Sequence, residues 1–204
     1  FSTIISTSTL TNNSKGILLS GYNGTYSLNN NNLHNNLLYN VYNSSDEEIF
    51  AENNYWGTSN EAEIQNLLYD INDDIDTGTI DYMPFLSSPN IEAPISPPSN
   101  VTKTVSGSDV VLNWSANGES DLAGYKLHYG SPTGYSYSTT VDLGNVTTYT
   151  LSSGDISTEY AITAYDSGLD GIDDMVDGNE SWYSKANEIS SSLSLPTVNI
   201  PPVP

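Results

Sequence analysis

The chain has no cysteine and no arginine, and no apolar run approaches the roughly 20 residues of a membrane span. Without cysteine no disulfide framework can report on compartment, in either direction. Without arginine there is no bidentate clamp for carboxylate or phosphate and no Arg-Gly-Asp loop. Positive charge is scarce altogether: the four cations are Lys15, Lys103, Lys126 and Lys185, set against 25 acids for a formal net charge of -21. Four scattered lysines make no patch for a nucleic-acid backbone or an anionic bilayer, which argues against both partners. The field they sit in repels polyanions and attracts cations, calcium among them. Phe1 opens directly into strand-like sequence without a signal peptide, as in a chain processed or excised from something longer.

What is present is asparagine, serine, threonine and isolated aliphatics, most densely over residues 1–58. Such a composition suits disorder, but the apolar spacing does not. Ile5 recurs as Leu28 and Phe50, and Leu10 as Leu33 and Tyr55, in steps of about 22 or 23 residues, the period of a solenoid coil. The pairs Asn12-Asn13, Asn35-Asn36 and Asn53-Asn54 follow at similar offsets, as turn residues stacked into ladders would. Next, Ile64, Leu67, Leu68 and Ile71 fall at helical spacing behind Asn60 and Glu63, a capping box, which predicts one short amphipathic helix as a lid over the coil end.

The string Ala51-Glu52-Asn53-Asn54-Tyr55-Trp56-Gly57, followed by Glu63-Ile64, Tyr69-Asp70, Asp73-Asp74, Gly78 and Tyr82-Met83-Pro84-Phe85-Leu86, resembles the C-terminal end of right-handed parallel β-helix proteins of the pectin-lyase-like superfamily. The resemblance covers residues 1–89 and implies β-helix coils with a helical cap, in a secreted or cell-surface protein of a bacterium or archaeon. Prolines then concentrate in a linker at 90–98.

Beyond it, short alternating strands recur at 110–114, 125–129, 148–151 and 160–165, the pattern of an antiparallel sandwich. Pro98, Trp114, Asp121-Leu122-Ala123-Gly124-Tyr125, Ile156-Ser157-Thr158-Glu159-Tyr160 and Glu180-Ser181-Trp182-Tyr183-Ser184 resemble a fibronectin type III domain over residues 99–191, with Tyr160 at that family's tyrosine corner. A long acidic insertion before the last strand departs from the family, and 192–204 reads as a second proline-rich tail or linker. The expected fold class is all-β: a right-handed parallel β-helix end with a capping helix, then a fibronectin type III-like sandwich.

Pectin-lyase-like proteins include lyases and hydrolases, which need a cationic base with calcium carboxylates, or paired carboxylates. Neither grouping is visible in residues 1–89: Asp46, Glu47 and Glu48 share one turn-like run, and His34 stands among asparagines as a turn residue. Asp70, Asn72, Asp74 and Asp76 match EF-hand spacing, but Ile75 replaces the glycine such a loop needs, so structural hydrogen bonding is the better reading. Asp166, Asp170, Asp173, Asp174, Asp177 and Glu180 pack six carboxylates into fifteen residues with interspersed glycines, either a solvated loop or a calcium site. Trp114, Tyr125 and Tyr160 read as core, while Tyr135 and Tyr137 either pack at an edge strand or form an exposed sugar-stacking strip. Sequons at Asn12, Asn23, Asn43, Asn100, Asn113, Asn145 and Asn179 are near the number chance supplies.

These features favour an extracellular structural or adhesive scaffold that is not an enzyme in the part shown and has no cofactor beyond calcium. A polysaccharide or another surface protein is the expected partner. Two alternatives stand beside it: the C-terminal fragment of a secreted polysaccharide lyase or glycoside hydrolase, and a subunit of an extracellular filament or surface layer.

Overall fold

The computed structural model describes residues 2–21, 24–130 and 134–189. Phe1, the Asn23 sequon and the tail 192–204 lie outside them.

Up to residue 81 the chain forms β1 (Ser2–Ser6), β2 (Thr9–Thr11), β3 (Lys15–Leu19), β4 (Thr25–Asn29), β5 (Asn32–His34), β6 (Tyr39–Asn43), β7 (Ile49–Phe50), helix α1 (Glu61–Gln65), β8 (Leu68–Tyr69) and β9 (Ile80–Asp81). The strands make three sheets, ordered β1-β4-β7-β9, β2-β5 and β3-β6-β8. Every pairing among them is parallel. Ile5 lies opposite Leu28 and Leu10 opposite Leu33, as the spacing predicts.

The third pass corrects that spacing. Ser27 pairs with Phe50 and Asn32 with Tyr55, so Ala51 and Trp56, not Phe50 and Tyr55, continue the two inward columns. Ala51 and Trp56 are fully buried, whereas Phe50 is exposed. Successive strand residues point to opposite faces, and a slip of one residue therefore exchanges inside for outside.

Asparagine holds the turns. Thr7, Asn30 and Asn53 occupy one left-handed column, at φ 50°, 61° and 59°, and Asn12 and Asn35 a second, at 60° and 54°. Asparagine tolerates this region because its short side chain bonds locally. The Asn53-Asn54 pair thus repeats Thr7-Ser8 and Asn30-Asn31, not Asn12-Asn13. Beside the first column the amide of Asn31 accepts from Ser8 N at 3.0 Å, and that of Asn54 accepts from Asn31 N at 2.8 Å, each partner 23 residues away.

Helix α1 is shorter than predicted. Asn60 caps it by accepting from Ala62 N at 3.1 Å, and Glu63 reaches back to Thr58 Oγ1 at 2.6 Å. Leu68 leaves the helix to pair with Val41 as a strand, because parallel pairing and burial together outweigh a helical turn. A Cβ on Gly78 would run into the Glu47 backbone, so only glycine permits the close approach that brings β9 beside β7.

The rest of the described chain forms β10 (Ser99–Ser106), β11 (Asp109–Ser115), β12 (Leu122–Tyr129), β13 (Thr139–Gly144), β14 (Thr148–Leu151), β15 (Tyr160–Asp166), helix α2 (Asp174–Asp177), β16 (Ser184–Lys185) and β17 (Asn187–Glu188). Two sheets, β14-β11-β10-β17 and β13-β12-β15-β16, enclose a core of Val110, Leu112, Trp114, Tyr125, Leu127, Tyr160 and Ile162. The four predicted strands are all present. The Tyr160 hydroxyl donates to Asp155 O at 3.0 Å, the corner bond the resemblance implies.

Residues 90–98 are bonded to both halves. Asn90 exchanges bonds with Asn32 and donates to Asn30 O, Thr9 donates to Pro94 O at 2.5 Å, Ile95 N donates to Gly178 O at 3.1 Å, and Asn117 donates to Ser96 O at 2.6 Å. Ile95 is buried in the sandwich core.

Candidate functional site

Strand alternation sends Lys126 and His128 of β12 and Thr163 of β15 to the sheet face away from the sandwich core, and the insertion 166–180 folds back over that face. Its last acid, Glu180, accepts from Thr163 Oγ1 at 2.6 Å and from Lys126 Nζ at 2.5 Å, and lies 3.5 Å from His128 Nε2. Burial opposes the Glu180 charge, but hydrogen bonds from His128, Lys126 and Thr163 and the lysine charge hold its carboxyl down at about 2. Of the other acids proposed for calcium, Asp174 accepts from the backbone of Asp170 and Gly171, Asp170 from Ile172 N and Asp166 from Gly168 N. Asp173 takes a left-handed conformation at the start of α2, which Asp177 closes. Among the described residues no three acids or imidazoles converge on a point where a cation would sit. Several of the loop's carboxylates thus accept from its own backbone.

Beyond Glu180 the chain turns outward and lays down an aromatic cluster. Tyr183 packs edge-on to His128 at 4.9 Å, meets Tyr137 at 5.0 Å and stacks with Tyr135 at 5.8 Å; Trp182 meets Tyr135 at 5.0 Å. Lys185 Nζ sits 4.8 Å from the Tyr135 ring and 2.9 Å from Glu159, which also accepts from the Tyr137 hydroxyl at 2.9 Å. The Lys185 ammonium beside Glu159 keeps that carboxyl below its ordinary value, and burial with the Glu159 contact pushes the Tyr137 hydroxyl up.

Trp182 and Tyr135 line a cleft of about 860 Å³. Thr9, Leu10, Thr11, Asn12 and Asn13 of the parallel half line the same cleft, with Pro94, Pro97 and Pro98. The two halves therefore build it together. Residue spacing brought forward Tyr135 and Tyr137 but not Trp182 or Tyr183, which the fibronectin pattern assigns to the approach of a last strand. The signal available was chemical: a Trp-Tyr pair directly after an acidic insertion.

A second, smaller junction surrounds His34. Its Nε2 lies 3.0 Å from Ser96 Oγ, and Ser96 N donates to Glu119 at 2.9 Å. Burial lowers the His34 pKa, with Glu119 pulling the other way. The imidazole is thus a buried residue of β5 and not a turn residue; its partner is 62 positions away. In the parallel half Asp70 accepts from Asn72 N, Asn72 Nδ2 and Ile80 N, and Asp74 from Asp76 N, so these acids close turns. Asn43 is buried and donates to Glu47 O and Gly78 O, which removes it as a glycan acceptor, whereas Asn113 is exposed.

No protein-family model matches the chain, and no curated protein matches it. Among solved structures it is similar to an Fn3-like protein from Clostridium thermocellum, at 20% identity over 48% of this chain and 94% of that one, with a TM-score of 0.35. A fibronectin type III domain from a human protein is 19% identical over 54% of this chain and 82% of that one, with a TM-score of 0.27. The Clostridium perfringens spore cortex lytic enzyme SleM is 20% identical over 47% of this chain, with a TM-score of 0.32, and the chain spans 29% of its length. Fibronectin type III-like sandwiches are among the structural neighbours. No helix among the described residues is long and apolar enough to cross a membrane.

Proposed function

We propose that this chain is a non-catalytic piece of a secreted or cell-surface scaffold, in which the end of a right-handed parallel β-helix is joined through residues 90–98 to a fibronectin type III-like sandwich, and the cleft between them receives a partner. The observation that carries this reading is the cleft itself: exposed aromatic residues of one half and amide and hydroxyl residues of the other line one cavity. Repeated passes 23 residues apart and all-parallel pairing support the β-helix assignment. The non-catalytic reading draws support from how the buried ionisable side chains are engaged, Glu180 with Lys126 and His128, Glu119 with Ser96, His34 with Ser96. Prolonged incubation with homogalacturonan, xylan and β-glucans tests it: new reducing ends or unsaturated uronates would sink the scaffold in favour of a lyase or hydrolase fragment.

One observation favours a second reading, a filament subunit. Among the described residues β1, β2 and β3 are each paired on one side only, and Ile4 and Leu18 on them are exposed. Such edges are templates for further parallel strands, whether from another chain or from an earlier stretch of the same one. Light scattering that stays monomeric to high concentration would count against it.

A further inference from the structure

The lining of the cleft restricts what fits in it. Trp182 and Tyr135 are 53% and 48% exposed; Tyr135 stacks on Tyr183, carries Lys185 Nζ against its ring and packs at 58° to Trp182, so it props the indole, which offers a flat apolar face to solvent. The lining also includes Asn12 and Asn13 of the left-handed turn after β2, the latter donating to Thr11 O at 3.0 Å, and Asn187 of the sandwich. These are neutral groups that both donate and accept. Ionised groups in the lining are already engaged: Lys185 with Glu159, and Glu180 with Lys126. A net charge of -21 adds a field that repels polyanions. A flat apolar face in one cleft with neutral donors and acceptors complements a pyranose, which has an apolar C–H face and a rim of hydroxyls.

We propose that the cleft binds a neutral oligosaccharide, one sugar ring stacking on Trp182 with Tyr135 propping that indole, while its hydroxyls bond Asn12, Asn13 and Asn187. The assignment rests on the scaffold reading above, for which it names the ligand class. The volume of about 860 Å³ lies within the range of small-ligand clefts.

Tryptophan emission isolates the site. Trp56 and Trp114 are buried and Trp182 is exposed, so a ligand-induced change in emission or in acrylamide quenching reports Trp182. Titration with cello-, manno-, laminari- and chito-hexaoses, with polygalacturonate as the anionic control and affinity electrophoresis as a second readout, is expected to show binding to at least one neutral glycan and none to the polyanion. Trp182→Ala and Tyr135→Ala are each expected to weaken it about tenfold or more. Trp182→Phe keeps a flat ring and is expected to retain binding within a few fold; it also covers the case in which Trp182→Ala fails to fold. Silence toward every neutral glycan, equal binding of polygalacturonate, or unchanged binding by both alanine variants would overturn the assignment. Cleavage of a bound glycan would end the non-catalytic reading while leaving the cleft standing, and silence without cleavage would end the cleft assignment alone.

Discussion

In the parallel half most buried polar side chains are asparagine amides, with His34 and Asp70 the ionisable exceptions, whereas in the sandwich most are ionised or ionisable groups. Asn31 and Asn54 are fully buried, each accepting from the backbone of the preceding pass. Lys103, Glu119, His128 and Glu180 are buried in the sandwich, each matched to a partner supplied by a distant part of the chain. An amide needs only backbone partners, which every parallel pass supplies in the same place, so one residue type can be repeated. A buried charge needs a specific opposite charge or several carbonyls, and those arise once. The two halves thus reach the same all-β end by a periodic and an aperiodic solution.

The largest effect expected from breaking this comparison is at Asn54. Its amide accepts from Asn31 N and Nδ2 and donates to Leu28 O and to Ala51 O, so Asn54→Leu leaves several buried groups unpaired; a loss of about 3 kcal/mol is expected by urea denaturation. Glu180→Gln comes next, at about 2 kcal/mol, since it leaves Lys126 half-matched beneath the insertion.

The same carboxyl sets a pH window. Its folded pKa of about 2 lies below its unfolded value of about 4.3. Its contribution is therefore complete above the unfolded value and is lost as pH falls through the folded one. Melts of the wild type should weaken between pH 4 and 2, more steeply than melts of Glu180→Gln.

Lys103→Met ranks third, at about 1 kcal/mol. Its ammonium donates to Ile156 O and Thr158 O, tying down the corner that Tyr160 closes, and the methionine keeps the stem but not the donors. The smallest effect belongs to His34. Burial lowers its pKa, so the unfolded chain binds the proton more readily and stability falls as pH drops through about 6.5. A shallow decline between pH 7 and 5 that disappears in His34→Gln is the expected result. For calcium the expected shift is nil, because Asp174 and Glu180 already face protein donors; a melt raised by millimolar calcium and reversed by chelation would show that the loop can rearrange.

Periodic features were legible in advance and aperiodic ones were not. The Leu10 and Leu33 column, the four sandwich strands and the Tyr160 corner follow from spacing and residue type alone. A step of 22 or 23 residues does not separate Phe50 from Ala51 or Tyr55 from Trp56, and the structure puts Ala51 and Trp56 inside. Leu68 looked helical because burial on a helix and burial on a parallel strand leave the same apolar trace. The Glu180 network and the cleft were out of reach for a different reason. Their members come from segments far apart along the chain, and no local pattern says which of them will face each other.

The central claim is that both halves, locked through residues 90–98, form the cleft together. With no native cysteine, Ser14→Cys and Ser152→Cys, both at exposed positions, can be spin-labelled without background. Pulsed dipolar spectroscopy should give one narrow distance between them, unchanged by added oligosaccharide. A broad or multimodal distribution would mean that the halves move independently, and would contradict the account.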